Sequence, residues 1–326
     1  MLAVRLHPDR VIRLHDEPGP EPGPGDAMVR VTSVGLCGSD RHWVVDGGTG
    51  DGVLDRPLIL GHEFGGTVET GRFRGRLVAV DPAISCGRCE WCGIGASNLC
   101  PEIRFAGHGH TDGGLRELVA WPEDCLYPLS ERTEPGDAAL IEPLSVAIHS
   151  IDLADGVAGA TVAVIGCGPI GLMLVALARA AGAATIVATD PLPHRREAAR
   201  ELGARMLTGD LGDVDVAFDA AGDASATGAA IESARPGGKV ILVGIPPDDR
   251  VTFRASVARR KGLTLKLVRR STTDSFRRAV EMFDEVGPVL KRLVTLRTSL
   301  GEAPRAFDAL VERSGIKVVV EPRPPG

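Results

Sequence analysis

Apolar residues change their rhythm along this chain. Up to about residue 145 they come in short runs broken by Gly and Pro: residues 27–34 after a Pro/Gly-rich stretch at 18–25, then 65–69 and 76–80. Short apolar runs bounded by turn formers are strand signals, and a series of them predicts a mostly β region. From about residue 160 the pattern alternates. Runs at 161–165, 185–189, 214–219, 239–243 and 263–268 read as buried strands, and 169–181 and 194–202 read as helices. Strands alternating with helices predict a parallel, doubly wound sheet. After a helix near 274–286 come a strand at 294–296, a helix near 303–312 and a strand at 317–320, and that tail looks like a return to the first region. The expected organisation is α/β: a mostly-β domain at 1–145, completed by 288–326, and a doubly wound domain at 146–287.

The longest apolar run, 160–178, could by length alone cross a membrane. Gly166, Gly168, Pro169 and Gly171 interrupt it in a pattern that a strand, a turn and a helix explain better. Residues 1–10 carry charge and lack the apolar segment of a signal peptide. The expectation is a cytoplasmic protein with no membrane partner. Its 326 residues exceed one ordinary core and suit two domains. A hydrophobic content of 44% with 25% charged residues is that of a globular protein, and a net charge of −6 gives no reason to expect nucleic acid.

The break in the long run is chemically informative. Gly166, Gly168, Pro169, Ile170 and Gly171 follow a strand run and open a helix, as G-x-G-x-x-G. The first Gly permits a tight turn, the second lets the backbone approach a pyrophosphate, and the third lets helix and strand pack closely. Free N–H groups and the positive dipole end of the helix then face the phosphates. Asp190 ends the second strand, where a carboxylate can accept both ribose hydroxyls and repel a 2′-phosphate, so NAD is the expected coenzyme. Arg195, just downstream, could soften that preference. Gly244, past the run 239–243, is assigned to the same site.

Four of the seven cysteines, Cys86, Cys89, Cys92 and Cys100, crowd into a polar, Gly-rich loop. Four thiolates suit a closed, structural zinc and leave no position for substrate. A second group is scattered: Cys37 in G-L-C-G-S-D, His62 and Glu63 in G-H-E-F-G-G, and Glu142 in I-E-P-L-S. Each alone is unremarkable, a core thiol, a bonded core imidazole or a surface charge, and spacing does not join them.

Together these segments resemble the zinc-containing medium-chain dehydrogenase/reductase family, and within it the sorbitol (polyol) dehydrogenase branch. C-G-S-D, G-H-E, the four-Cys lobe, I-E-P-L-S and G-x-G-P-x-G occur in the family's order over nearly the whole chain. The resemblance implies a GroES-like catalytic domain and a Rossmann domain. It implies a catalytic zinc reached by Cys37, His62 and Glu142, with Glu63 binding directly or through water, and a second, structural zinc on the four cysteines. It implies Ser39, then His42, as proton carriers, with Trp43, Phe105 and Arg270 (or Arg269) at the substrate. The activity implied is hydride transfer between NAD and a secondary alcohol, a polyol, sugar or cyclitol, in a homodimer or homotetramer. The chain departs from the pattern at 68–77, which is short, and between Met206 and Asp215, which leaves little room for the helix that links two Rossmann strands. Alternatives from the same family are an L-threonine dehydrogenase or another alcohol dehydrogenase. The alternative from another class is a zinc- and NAD-binding protein without catalysis, which would be expected to have lost the scattered ligands.

Overall fold

The computed structural model describes residues 1–49, 52–207, 212–247 and 250–322. They form two compact units: Met1–Ser145 with Thr272–Gly326, and Val146–Ser271.

The first unit is built on the strand Asp26–Gly35, whose residues alternate buried and half-buried from Ala27 to Ser33. It pairs antiparallel with Glu63–Val68 on one edge. On its other edge Leu118–Pro122 takes residues 26–30 and Lys317–Glu321 takes residues 34–35. Leu77–Val80 and Leu126–Pro128 extend the sheet one way and Val294–Ser299 the other, giving seven strands. Val29, Val31, Phe64, Val78 and Trp121 fill the core beneath it. The short 68–77 connection is a tight turn in which Gly71 (φ 87°) and Gly75 (φ 81°) take the left-handed backbone that other residues avoid.

The chain re-enters this unit earlier than residue 288. The helix Thr273–Leu290 belongs to it: Phe276 lies against Tyr127 with ring centroids 5.1 Å apart, and Thr273 N–H donates to Ser97 Oγ at 3.0 Å. Apolar periodicity announces a helix but not the unit on which it packs.

The second unit is a six-stranded parallel sheet in the order Arg205–Met206, Thr185–Thr189, Thr161–Ile165, Val214–Asp219, Ala234–Leu242, Thr264–Leu267. Chain order reverses beside Thr161–Ile165, and such a switch point opens a crevice at the carboxyl ends of the strands. Pro169–Ala180 is the helix of the long apolar run, buried from Gly171 to Val175. Among the described residues no helix is long and apolar enough to cross a membrane. Residues 208–211, within the segment expected to lack its helix, lie outside the described residues. Two helices escaped the sequence pattern, Ala224–Ser233 and Ala255–Lys261. The first is Ala-rich, with an N-cap at Asp223 that accepts from Ala226 N–H at 2.9 Å.

Candidate zinc and dinucleotide sites

The glycine loop lies at the carboxyl end of Thr161–Ile165. Gly166 has φ 92°, and a Cβ there would meet Ala221 N at 2.8 Å. A Cβ on Gly171 would meet Gly166 O at 1.9 Å, so that glycine is what lets the helix sit on the turn. Gly168 is different. A Cβ there would find nothing nearer than Arg195 Nη1 at 3.7 Å, so the space over its backbone is open, as a phosphate cradle requires. Pro169 and Ile170 are the first residues of the helix.

Asp190 is buried, and backbone groups hold both of its carboxylate oxygens. Oδ2 accepts from Cys167 N–H and Oδ1 from Leu192 N–H, both at 2.8 Å. The carboxylate therefore braces the glycine loop, and its remaining lone pairs are what a ribose could use. Asp219, which the sequence did not single out, organises the neighbouring loop by accepting from Ala221 and Gly222 N–H (both 3.0 Å) and from Thr227 Oγ1. Gly244 packs onto that loop: a Cβ on it would lie 2.2 Å from Gly222 N.

In the first unit the sulfurs of Cys86, Cys89, Cys92 and Cys100 lie within 4.8 Å of one another. Cys89 Sγ is 3.5 Å from Cys92 Sγ, and thiolates around one tetrahedral zinc sit about 3.8 Å apart. Cys86 N–H points at Cys100 Sγ at 3.4 Å, and the Arg88 backbone N–H draws the Cys86 thiol down to about 7. Sulfurs already converged and served by backbone donors fit a thiolate-bound cation.

The scattered residues also converge. Cys37 caps the helix Gly38–Val45, and Glu63 opens the strand Glu63–Val68 directly opposite Gly35. The ligand atoms of Cys37, His62 and Glu63 lie within 4.8 Å of one another. Glu142, in the first turn of Ile141–Leu153, stands outside that tight trio but is buried, and the charges of His62, Glu63 and Cys37 act on its carboxyl. Asp40 is buried behind them, accepts from Cys37 N–H at 2.9 Å and lies 3.8 Å from His62 Nδ1. Burial pushes the Glu142 carboxyl up to about 8 and the Cys37 thiol up to about 12. A thiol, an imidazole and two buried carboxylates, of which Glu142 resists ionisation, form a donor set that a divalent cation would satisfy.

Sequence reading missed one member of this pocket. Lys317 is buried at the head of the strand Lys317–Glu321; its ammonium pairs with Glu63 Oε2 and donates to Leu36 O at 3.0 Å. A charge leading an otherwise apolar strand was the available signal.

Around the pocket, the Ser39 hydroxyl bonds the Cys37 thiol, and His42 Nδ1 bonds Asp46 Oδ2 at 2.7 Å. Phe105 lies against the His62 ring, centroids 5.3 Å apart. Trp43, expected to line a cleft, is 2% exposed and packs in the core, its ring T-shaped against that of His108. Arg270 stands in the second unit, half-buried, in left-handed backbone at φ 57°.

Comparison with known proteins agrees with this anatomy. Residues 23–131 match the family described as the alcohol dehydrogenase GroES-like domain, and residues 169–285 match the zinc-binding dehydrogenase family. The chain is 33% identical to the sorbitol dehydrogenase of Bacillus subtilis (strain 168), over 99% of this chain and 97% of that one. L-idonate 5-dehydrogenase of Escherichia coli K-12 superposes with a TM-score of 0.91 at 26% identity, covering 98% and 97%. A protein of Sinorhizobium meliloti 1021, described as a zinc-binding dehydrogenase and solved with NADP, does so at 0.87 and 32%, covering 98% and 99%. With the GroES-like and Rossmann units, the glycine loop and both metal-binding groups in place, this chain belongs to the zinc-containing medium-chain dehydrogenase/reductase family, in its polyol dehydrogenase branch.

Proposed function

We propose that the chain oxidises a secondary alcohol flanked by further hydroxyls, a polyol, sugar or cyclitol, with NAD as hydride acceptor. The observation that carries this reading is the buried convergence of Cys37, His62 and Glu63 with Glu142 facing them. Cys37, His62 and Glu142 would hold the catalytic zinc, with Glu63 as a carboxylate that reaches it directly or through water. A zinc there supplies Lewis acidity, which lowers the pKa of a hydroxyl brought to it. Ser39, at the edge of the pocket, both accepts and donates, so it takes the substrate's proton and passes it towards His42. The four cysteines would hold a second, structural zinc.

In the other unit the open backbone at Gly168 and the braced carboxylate of Asp190 support a dinucleotide whose ribose keeps its 2′-hydroxyl. Bound there, NAD supplies the hydride acceptor. Phe105, beside His62, and Arg270 are the proposed substrate contacts; a guanidinium offers several donors to vicinal hydroxyls. The sheet edge Thr264–Leu267, where Leu267 is 74% exposed, supports a homo-oligomer formed through that edge.

A panel of sorbitol, xylitol, myo-inositol, threonine, ethanol and 2-propanol, followed by NADH absorbance, tests the reading. Polyhydroxylated substrates should turn over efficiently and the simple alcohols poorly, because polar groups arranged for hydroxyls stay unpaired without them. Efficient turnover of simple alcohols with none of any polyol would reject it. Threonine as the single good substrate would move the assignment to the threonine dehydrogenases.

A further inference from the structure

The helix Gly38–Val45 carries a carboxylate–imidazole pair that the sequence motifs do not announce. Asp46 Oδ2 lies 2.7 Å from His42 Nδ1. An ionised carboxylate only accepts, so Nδ1 carries the hydrogen and Nε2 is left as the ring's acceptor. Asp46 is also held in place. It is the C-cap of the helix, and its own N–H and that of Gly47 donate to the His42 carbonyl at 2.8 and 3.1 Å. Arg10 fixes the same helix end by donating to Val45 O at 2.7 Å. The pair spans the boundary between protein and water: the His42 side chain is 13% exposed and that of Asp46 36%.

We propose that Asp46 is a positioning residue for proton removal: it fixes the His42 tautomer so that Nε2 can take the proton arriving from Ser39, and it opens that path to solvent. The inference rests on the relay reading of Ser39 and His42 above. When Nε2 takes the proton, the imidazole becomes a cation with both nitrogens protonated, and Nδ1–H goes on donating to the Asp46 carboxylate. Loss of a proton to water restores the starting tautomer, so atoms and charge balance over the cycle.

The experiment compares Asp46→Asn, Asp46→Ala and His42→Ala in the zinc-replete enzyme, with NAD and the best polyol of the panel. An Asn side chain can turn its amide hydrogens towards Nδ1, which would place the ring hydrogen on Nε2 and block acceptance. Asp46→Asn should therefore lower kcat/KM about 10- to 100-fold and Asp46→Ala by less, about 3- to 10-fold, with zinc content and Tm unchanged. Added imidazole should restore activity to Asp46→Ala and His42→Ala, which a merely structural role for Asp46 would not allow. Native activity in both Asp46 variants with a damaged His42→Ala overturns this inference and leaves the relay standing. Native activity in His42→Ala overturns both. A loss in the Asp46 variants that follows lost zinc or a lowered Tm, and that imidazole does not repair, also overturns it.

Discussion

Lys317 and Glu63 form an ion pair whose side chains are 1% and 2% exposed, in the pocket that also holds Cys37 and His62. Gly35 makes the pair possible. A Cβ there would lie 2.2 Å from Glu63 Oε2 and 2.8 Å from Lys317 Cε. Removing one partner strands the other's charge in a dry place. Lys317→Met should therefore cost roughly 3–5 kcal/mol in denaturant unfolding at pH 7. Adding Glu63→Gln should recover a large part of that loss, since no full charge is then left alone. Gly35→Ala should destabilise in the same direction. A Lys317→Met protein as stable as the native one would contradict the pairing.

Two zinc ions of unequal role should be present per chain. Cys89→Ser breaks a four-sulfur set, so it should lower folding stability or soluble yield, because metal binding there is coupled to folding. His62→Ala should leave the fold intact, lose one zinc and abolish turnover. Metal analysis of the replete native protein that finds one zinc or none refutes the assignment.

NAD should be used with a higher kcat/KM than NADP. Asp190 repels a 2′-phosphate, but it also braces the glycine loop through Cys167 N–H. Asp190→Ser should thus weaken NAD use about tenfold or more and raise NADP use relative to it, with Arg195, 3.7 Å from the Cβ position of Gly168, placed to meet the extra phosphate. Native preference for NADP, the nucleotide seen with the Sinorhizobium meliloti relative, would overturn the reading of Asp190.

A stability effect is expected away from both sites. Asp81 is buried, and burial pushes its carboxyl up to about 7 although it accepts from Ala83 N–H at 2.9 Å. The folded chain keeps this proton over a range in which the unfolded chain has released it. Stability from this group therefore falls as pH rises from about 4 to about 7 and stays low above that. Asp81→Asn should match the native protein below pH 4 and exceed it by roughly 2–4 kcal/mol at pH 8. Parallel stability curves for the two proteins across that range would show the carboxyl to be better solvated than its burial implies.

What could be read from sequence was what lies contiguous in it. The glycine loop, the four-cysteine lobe and the G-H-E segment each place their chemistry within a few residues, and the strand before the glycine loop is an apolar run. Cys37, His62 and Glu142 needed a family resemblance to be joined, because they stand on separate elements far apart in the chain. Lys317 and Asp46 stayed invisible. One is a lone lysine hundreds of residues from its partner, and the other is an ordinary acidic residue at a helix end. The burial of Trp43 and the packing partner of the helix Thr273–Leu290 depend on tertiary context that a local pattern does not carry.

The pairing of Val319 with Gly35 bears on the order in which the chain assembles. The first unit is interrupted by the whole of Val146–Ser271, so during synthesis the second unit is complete while the sheet around Asp26–Gly35 still lacks a neighbour. Closing so long a loop adds little to its free-energy cost, which grows only logarithmically, but non-local pairing is slow. The expected sequence is that Thr161–Ile165 and its parallel neighbours gain hydrogen-exchange protection early in refolding, and Lys317–Glu321 late. Cys37, His62 and Glu63 therefore emerge well before the ammonium that balances Glu63, and the nascent metal pocket spends that interval with an excess of acidic groups.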